Sequence, residues 1–107
     1  MNKFDNSPTN KILIVGLGGI GSNLFELVLP VLSKSMQSLE IHLMDDDLVD
    51  VSNLAHQRFT ESDIGLSKAE TLAARYQNPD NLSIISHVEK LTKSSQLIGY
   101  DLIIVAV

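Results

Sequence analysis

The chain has 107 residues, with 8 basic and 13 acidic side chains, a net charge of −5 and no cysteine. This length fits one domain, and the lack of cysteine excludes disulfides, thiolate zinc sites, iron–sulfur clusters and a thioester formed on this chain. The acidic isoelectric point, near 4.9, argues against nucleic acid or an anionic membrane as a partner, because both bind clustered lysine and arginine.

The chain opens with a polar arm over residues 1–10, and the folded domain is predicted to span residues 11–107. No apolar run reaches the roughly 18 residues of a membrane span, and the arm lacks the apolar core of a signal peptide, so we expect a cytoplasmic protein. Residues 11–16, KILIVG, form an aliphatic run that ends at glycine, which is typical of a strand buried on both faces. From Gly19 onward, apolar residues recur every three or four positions, which predicts a helix that ends or bends near Pro30.

Strands and helices continue to alternate after this helix. Strands are predicted at residues 39–45, 82–88 and 101–107, one helix after a capping box that begins at Ser67, and a short helix within residues 88–98. A long irregular segment separates the second strand from the Ser67 helix, and loops of that length are more often functional than plain connections. The alternation predicts an α/β, Rossmann-like parallel sheet with helices on both faces and strand order 3-2-1-4. The fourth strand is apolar after Asp101, as interior strands are, and because the sequence ends with this strand we expect its outer side to lack a neighbour.

A glycine motif lies directly after the first predicted strand and at the start of the first helix. Gly16, Gly18 and Gly21 fit the pattern G-x-G-x-x-G, with Gly19 inside it. The first glycine permits a tight turn, the second lets the backbone approach a phosphate, and the third lets helix and strand pack closely. The free N–H groups at the helix N-terminus attract an anion. The motif predicts nucleotide binding without identifying the nucleotide, and the alternative is a glycine-rich turn that binds no ligand.

Acidic residues close the second strand. Asp45 follows the motif at a spacing that suits hydrogen bonds to ribose hydroxyls, in NAD and in an adenosine nucleotide equally well. We expect its loss to weaken adenosine binding while thermal stability stays close to that of the wild type. Asp46 and Asp50 are interpreted as a solvated turn. No metal site is predicted from spacing, and His42 and His87, which fall in predicted strands, are interpreted as structural.

Polar side chains that can hold phosphate cluster around the long irregular segment. Lys68 lies just inside a predicted helix N-terminus, where a cation is disfavoured by roughly 0.3–1 kcal/mol unless an anion is bound beside it. Its alternative interpretation is an ordinary surface lysine. Several hydrogen-bond donors fall within six positions of this segment, at Asn53, His56, Gln57 and Arg58. This composition suits the binding of a polyphosphate, but a surface loop without a function can have it too.

Four separated motifs together resemble the ThiF/MoeB-like superfamily of ubiquitin-activating-type enzymes over about residues 11–107. They are GLGGIGSNL, MDDDLVDVSNLAHQRF, DIGLSKAETLAARYQNP and the strand that follows Asn-Pro. The resemblance implies a Rossmann-like protein that binds ATP with magnesium. It also implies adenylation of the C-terminal carboxylate of a ubiquitin-like or sulfur-carrier protein, or of a peptide, by an enzyme that works as a dimer.

The resemblance also implies roles for individual residues. The phosphates face the loop glycines, which are Gly16, Gly18, Gly19 and Gly21. Asp45 contacts the ribose and Asp47 lies at the site. The residues implied to contact phosphate or to stabilise developing charge are Asn53, Gln57 and Lys68, with His56 among the nucleotide contacts and Arg58 among the catalytic residues.

Two departures from the family pattern accompany this match. The family usually has arginine where this chain has His56, which makes Arg58 the candidate substitute. The aspartate that holds magnesium in the family stands one position beyond Val107, the last residue of this sequence. The sequence therefore predicts the nucleotide half of the family domain.

Two other function classes remain open from the sequence. One is the dinucleotide-binding half-domain of an NAD-dependent oxidoreductase, which would use the glycine motif and Asp45 but gives the segment from Asn53 to Lys68 no role. The other is a non-catalytic interaction module with the same fold. A comparison of ATP with NAD binding separates the first class, and a pyrophosphate-exchange assay separates the second.

Overall fold

The computed structural model describes residues 10–32, 38–55, 57–76 and 82–106, with side chains in the first range described up to residue 30. Most of the predicted polar arm lies outside these residues, but Asn10 already belongs to the first strand. In the described part of the chain, no helix is long and apolar enough to cross a membrane.

Four parallel strands form one sheet. They are β1 (Asn10–Val15), β2 (Leu39–Met44), β3 (Leu82–His87) and β4 (Leu102–Val105). The order is β3-β2-β1-β4, so the predicted Rossmann-like order is confirmed. All four carboxyl ends meet at the same edge of the sheet, which is where ligands bind in folds of this kind.

Two α-helices cover one face of the sheet, α1 (Gly19–Leu32) and α2 (Lys68–Arg75). Their buried side chains, among them Phe25 and Leu72, join the main apolar cluster with Ile14 and Ile41 of the strands. Helix α1 continues to Leu32 with Pro30 inside it, two residues past the position where the sequence predicts an end or a bend.

The opposite face is covered by residues 88–100, which we call the covering segment. The predicted helix within residues 88–98 is wrong, because the structure has only a single 3-10 helix there, Ser94–Leu97. The Gln96 side chain gives the physical reason. Its oxygen accepts from the backbone N–H groups of Thr92 and Lys93, and its nitrogen donates to the Lys90 carbonyl. One side chain therefore satisfies backbone groups that would otherwise pair within an α-helix.

Strand β4 lies at the edge of the sheet and, among the described residues, pairs only with β1. Its apolar composition predicts burial on both faces, but Leu102 and Val105 are about half exposed. The covering segment and α1 leave this side of the sheet partly open to solvent.

The segment between β2 and α2 is ordered by short-range pairing. It contains 3-10 helices at Val51–Asn53 and Glu61–Asp63, within the segment that the sequence predicts to be irregular. Leu48 and Ser67 form an isolated antiparallel bridge. This bridge holds the N-terminus of α2 beside the carboxyl end of β2.

Candidate nucleotide site

The glycine loop joins β1 to α1 at the carboxyl edge of the sheet. Gly16 has a φ of +91°, a conformation that side chains disfavour, and its N–H donates to the Met44 carbonyl at 2.9 Å. A Cβ on Gly21 would lie 1.8 Å from the Gly16 carbonyl oxygen, so only glycine allows this turn to pack against the helix. A Cβ on Gly18 would meet only the Gln57 side-chain nitrogen, at an ordinary 3.7 Å. The loop is therefore closed where it packs on α1 and open at Gly18.

Asp45 connects the end of β2 to this loop. One carboxylate oxygen accepts from the Leu17 N–H at 2.7 Å, and the other accepts from the Asp47 N–H at 2.7 Å. The residue is only 9% exposed, and its own N–H donates to the His87 carbonyl at 3.1 Å. Asp45 thus fixes the relative position of the glycine loop and two strand ends.

A cavity of about 270 Å³ opens at this edge of the sheet. Its walls come from the carboxyl ends of β1, β2 and β4 and from the start of the covering segment, and they include Gly16, Asp45, Asp46, Asp47, Glu89, Lys90, Leu91 and Val105. Glu89, Lys90 and Leu91 are not among the site residues predicted from the sequence. They follow the end of β3 after one intervening residue, and a position just past a parallel strand is itself a signal for ligand contact in such sheets.

Lys68 is the first residue of α2 and is 5% exposed. Its ammonium nitrogen lies 3.8 Å from a carboxylate oxygen of Asp47, whose side chain is 67% exposed. The Lys68 N–H donates to the Asp47 carbonyl at 3.1 Å, and the Ser67 side chain caps the helix by accepting from the Glu70 N–H. A buried cation at a helix N-terminus with one exposed counter-ion is well suited to a further anion. The structure therefore places Lys68 beside the acidic end of β2.

Gln57 lies against the glycine loop, as its contact distance to the Gly18 position indicates. Its side-chain oxygen is buried and has no hydrogen-bond partner among the described residues. Asn53 stands further out, where its side-chain oxygen accepts from the Asp50 N–H at 2.7 Å and closes a 3-10 turn. His56 lies outside the described residues, so its predicted role stays a prediction.

Arg58 faces a different group of side chains. Its Nε lies 3.3 Å from a carboxylate oxygen of Glu26 on α1, and Arg75 of α2 approaches the same carboxylate at 3.8 Å. Tyr76 also donates to Glu26, and burial followed by this hydrogen bond raises the pKa of the Tyr76 phenol to about 12. In this arrangement Arg58 joins α1 to α2 through Glu26, and its predicted catalytic role stays a prediction.

Three carboxylates lie close together at the end of β2. One oxygen each from Asp45, Asp46 and Asp47 lies within 4.8 Å of the other two. Magnesium prefers oxygen ligands and keeps several waters, so one or two carboxylates together with phosphate oxygens suffice to bind it. Asp46 and Asp47 are exposed and fit that need, whereas both Asp45 oxygens already accept backbone N–H groups. The donor set at this strand end therefore fits the ion.

Comparisons with known proteins agree with this geometry. A family model described as the ThiF family matches residues 3–107. The chain is 41% identical over 75 residues to the NEDD8-activating enzyme E1 catalytic subunit of Caenorhabditis elegans, a match that covers 69% of this chain and 16% of that protein. It is 42% identical over 73 residues to the adenylyltransferase and sulfurtransferase UBA4 of Debaryomyces hansenii, covering 67% of this chain and 15% of the relative.

Solved structures show the same fold. The tRNA N6-threonylcarbamoyladenosine dehydratase TcdA of E. coli, crystallised with ATP, superposes with a TM-score of 0.74 at 29% identity, over 92% of this chain and 41% of that one. E. coli MccB, also crystallised with ATP, has a TM-score of 0.59 at 30% identity, over 82% of this chain and 26% of MccB. The chain thus spans less than half the length of these relatives and neighbours.

Proposed function

The chain belongs to the ThiF family, and we propose that it is the ATP-binding part of an adenylyltransferase that activates the C-terminal carboxylate of a ubiquitin-like or sulfur-carrier protein. The observation that carries the proposal is the meeting of two helix N-termini at one end of β2. The glycine loop opens α1 on one side of this strand end, and buried Lys68 opens α2 on the other. Both present N–H groups or positive charge to the same region, as a polyphosphate requires.

The proposed position of the nucleotide depends on which hydrogen-bonding and charged groups of the site are still free to contact a ligand. The phosphates would lie over Gly18 and Gly19 at the start of α1, with Lys68 and Asn53 on their other side. The ribose would lie at the end of β2, where Asp47 is exposed and where each Asp45 oxygen retains a second lone pair. Gln57 would border the phosphates, because its side chain lies next to the Gly18 position.

The proposed reaction forms a bond between a carboxylate oxygen of the partner protein and the α-phosphorus. The bond from that phosphorus to its bridging oxygen breaks, and pyrophosphate leaves with the negative charge. Donors that are already in place when this charge develops lower the barrier without further reorganisation. Lys68 supplies a cation on a buried side chain whose position is fixed by its surroundings. The N–H groups of the glycine loop supply dipoles. Magnesium, held by phosphate oxygens together with Asp46 or Asp47, would neutralise part of the triphosphate charge.

The partner class is inferred from the relatives. The relatives include enzymes that activate NEDD8 and SUMO, and one adenylyltransferase and sulfurtransferase. We propose that the acceptor is a ubiquitin-like or sulfur-carrier protein, and that the enzyme works as a homodimer in the cytoplasm. Arg58 and His56 stay candidates for a charge-stabilising role in the same reaction.

The experiment is a set of equilibrium binding titrations with ATP, ADP and AMP. Lys68→Gln removes the buried cation, and Lys11→Gln is the control because Lys11 lies on β1 toward the opposite end of the sheet. Losing a hydrogen bond to a charged group costs about 1.5–3 kcal/mol, so ATP affinity should fall by about tenfold or more in Lys68→Gln. AMP affinity should fall less, and Lys11→Gln should bind like the wild type. Equal ATP affinity in all three proteins would contradict the proposed site.

A further inference from the structure

Two histidines from neighbouring strands contact each other directly beneath the covering segment. His42 Nδ1 of β2 lies 2.7 Å from His87 Nε2 of β3, and the ring planes differ by 19°. His42 is 9% exposed and also contacts Glu40, whose carboxylate oxygen lies 2.9 Å from His42 Nε2. The Tyr100 ring packs edge-on against His42, with its hydroxyl 3.3 Å from Nδ1. The two rings are therefore joined through one nitrogen each.

Proton accounting limits this contact to one proton between the two nitrogens. In the neutral pair, His42 donates from Nε2 to Glu40, and its Nδ1 accepts from His87 Nε2–H. One added proton can be accommodated, because a cationic His42 can donate from Nδ1 to an unprotonated His87 Nε2. A second proton puts N–H groups on both nitrogens, 2.7 Å apart, and the contact has to break. At this distance, the protonation state of one ring therefore limits the protons that the other ring can hold.

The charged groups around the pair do not make the binding of a second proton favourable. Glu40 on β2 contacts His42 Nε2, and Lys11 of β1 stands beside Glu40 in the sheet register. Glu89 of the covering segment favours a charge on His87, but burial and the charge of His42 outweigh it and hold the pKa of His87 below its ordinary value. Tyr100 is neutral in this pH range, since burial raises its pKa further. The second proton therefore costs free energy in the folded protein.

One of the two histidines, His87, is connected through its backbone to residues that line the cavity at the end of β2. His87 is the last residue of β3, and its carbonyl accepts from the Asp45 N–H at 3.1 Å. Glu89, Lys90 and Leu91 follow it and form one wall of the cavity. Tyr100 closes the covering segment over His42. A break between His42 and His87 would thus disturb the segment that forms this wall and the strand end that holds Asp45.

We propose that the His42–His87 pair is a proton-sensitive latch that positions the covering segment and thereby the wall of the nucleotide cavity. At neutral and basic pH the shared proton joins β2 to β3 at the edge of the site. At acidic pH the second proton breaks this contact, the segment loosens, and nucleotide affinity falls. The link to a nucleotide rests on the proposed function, whereas the latch itself is a property of the two rings. His87 is a positioning residue in this scheme and does not touch the substrate.

The test compares wild type with His87→Gln and Tyr100→Phe. Glutamine keeps a donor near the position of Nε2 but cannot be protonated, and phenylalanine keeps the packing of Tyr100 and both histidines. ATP binding is titrated at about pH 8 and about pH 5.5, and the protonation of ATP itself affects all three proteins equally. Wild type and Tyr100→Phe should lose about tenfold more affinity over this interval than His87→Gln, because only these two proteins can take up the second proton at the contact. An equal loss in His87→Gln would overturn the proposal.

Two readouts that need no ligand accompany the binding titrations. Denaturant unfolding of the wild type should show stability falling below about pH 6.5, because the unfolded chain then binds a proton that folded His87 resists. His87→Gln should show a flatter profile, and NMR titration of the histidine ring protons should show two coupled steps in the wild type. If none of the proteins binds ATP at about pH 8, the proposed function fails by itself. Parallel unfolding profiles together with independent ring titrations would overturn the latch.

Discussion

The Asp45 carboxylate accepts a hydrogen bond from the Leu17 N–H at 2.7 Å, across 28 positions of sequence. It joins the end of β2 to the glycine loop, and its second oxygen holds the Asp47 N–H. The Asp45 side chain therefore holds the acidic strand end and the glycine loop together. A change at Asp45 is expected to lower stability as well as binding, which differs from the sequence-based expectation that thermal stability stays close to that of the wild type.

Replacement of Asp45 by alanine leaves the Leu17 and Asp47 N–H groups without their acceptor. Since hydrogen bonds to charged groups contribute about 1.5–3 kcal/mol, we expect the free energy of unfolding to fall by about 2 kcal/mol or more. Asp46→Ala is the control, because the exposed neighbour should change stability by only about 0.5 kcal/mol or less. Denaturant titration measures both. A larger loss in Asp46→Ala would show that the position of Asp45 at the strand end is misassigned.

Substitution by alanine should have different effects at two glycines of the loop, lowering stability at Gly21 and ATP affinity at Gly18. In Gly21→Ala the new Cβ would clash with the Gly16 carbonyl at 1.8 Å, and overpacking of this kind costs about 1–3 kcal/mol or more. In Gly18→Ala the Cβ has room, so stability should stay near that of the wild type while ATP affinity falls, because the methyl group occupies the proposed phosphate approach. Thermal melts and ATP titrations on the same two variants make the comparison. Unchanged ATP affinity in a folded Gly18→Ala protein would remove this loop from the site.

Asp63 should contribute to stability through its charge. Burial opposes its ionisation, but hydrogen bonds from the Thr60 backbone and from Arg75 lower the pKa of the carboxyl below its ordinary value. A lowered carboxyl pKa gives stability that is present above about pH 4 and is lost as pH falls through the folded pKa. Asp63→Asn should flatten the acid limb of the unfolding profile, and Glu61→Gln, an exposed neighbour, should leave it unchanged. Identical acid limbs in Asp63→Asn and wild type would contradict this role.

The edge strand β4 is expected to promote self-association. Leu102 is 51% exposed, and the outer side of β4 has no strand partner in the described part of the chain. Open apolar edges recruit other strands, and a charged residue on the edge blocks them. Sedimentation should therefore show dimers or larger species for the wild type and a smaller mass for Leu102→Lys. Val51→Lys, at a comparably exposed apolar residue away from β4, should sediment like the wild type. A monomeric wild type would argue against edge pairing.

Much of the fold could be predicted because its signals are local. The aliphatic runs, the glycine loop and the Ser67 cap each identify an element from a few residues, and together they give the strand order. The covering segment could not be predicted, since Gln96 satisfies its backbone through a side chain instead of a helix. For Asp45, spacing indicated a binding residue, but its two internal hydrogen bonds, and hence a role in stability, depend on the distant loop.

The contact between His42 and His87 also could not be predicted from the sequence. His42 and His87 are 45 positions apart and fall in different strands, so nothing near either residue indicates their contact. The strand register brings them together diagonally, because His42 stands opposite Ile85 and His87 opposite Met44. The sequence indicates only that both histidines are structural. The fold brings their rings into contact, so that the protonation of one affects the protonation of the other.

Calorimetric titration of the chain with ATP, AMP and NAD under identical conditions tests the proposed nucleotide preference most directly. We predict that ATP or AMP binds more tightly than NAD. In the proposed pose the phosphates of an adenosine nucleotide lie beside Lys68 and Asn53, whereas a dinucleotide would give these donors no role. A clear preference for NAD would contradict the adenylating assignment and favour the dinucleotide-binding alternative.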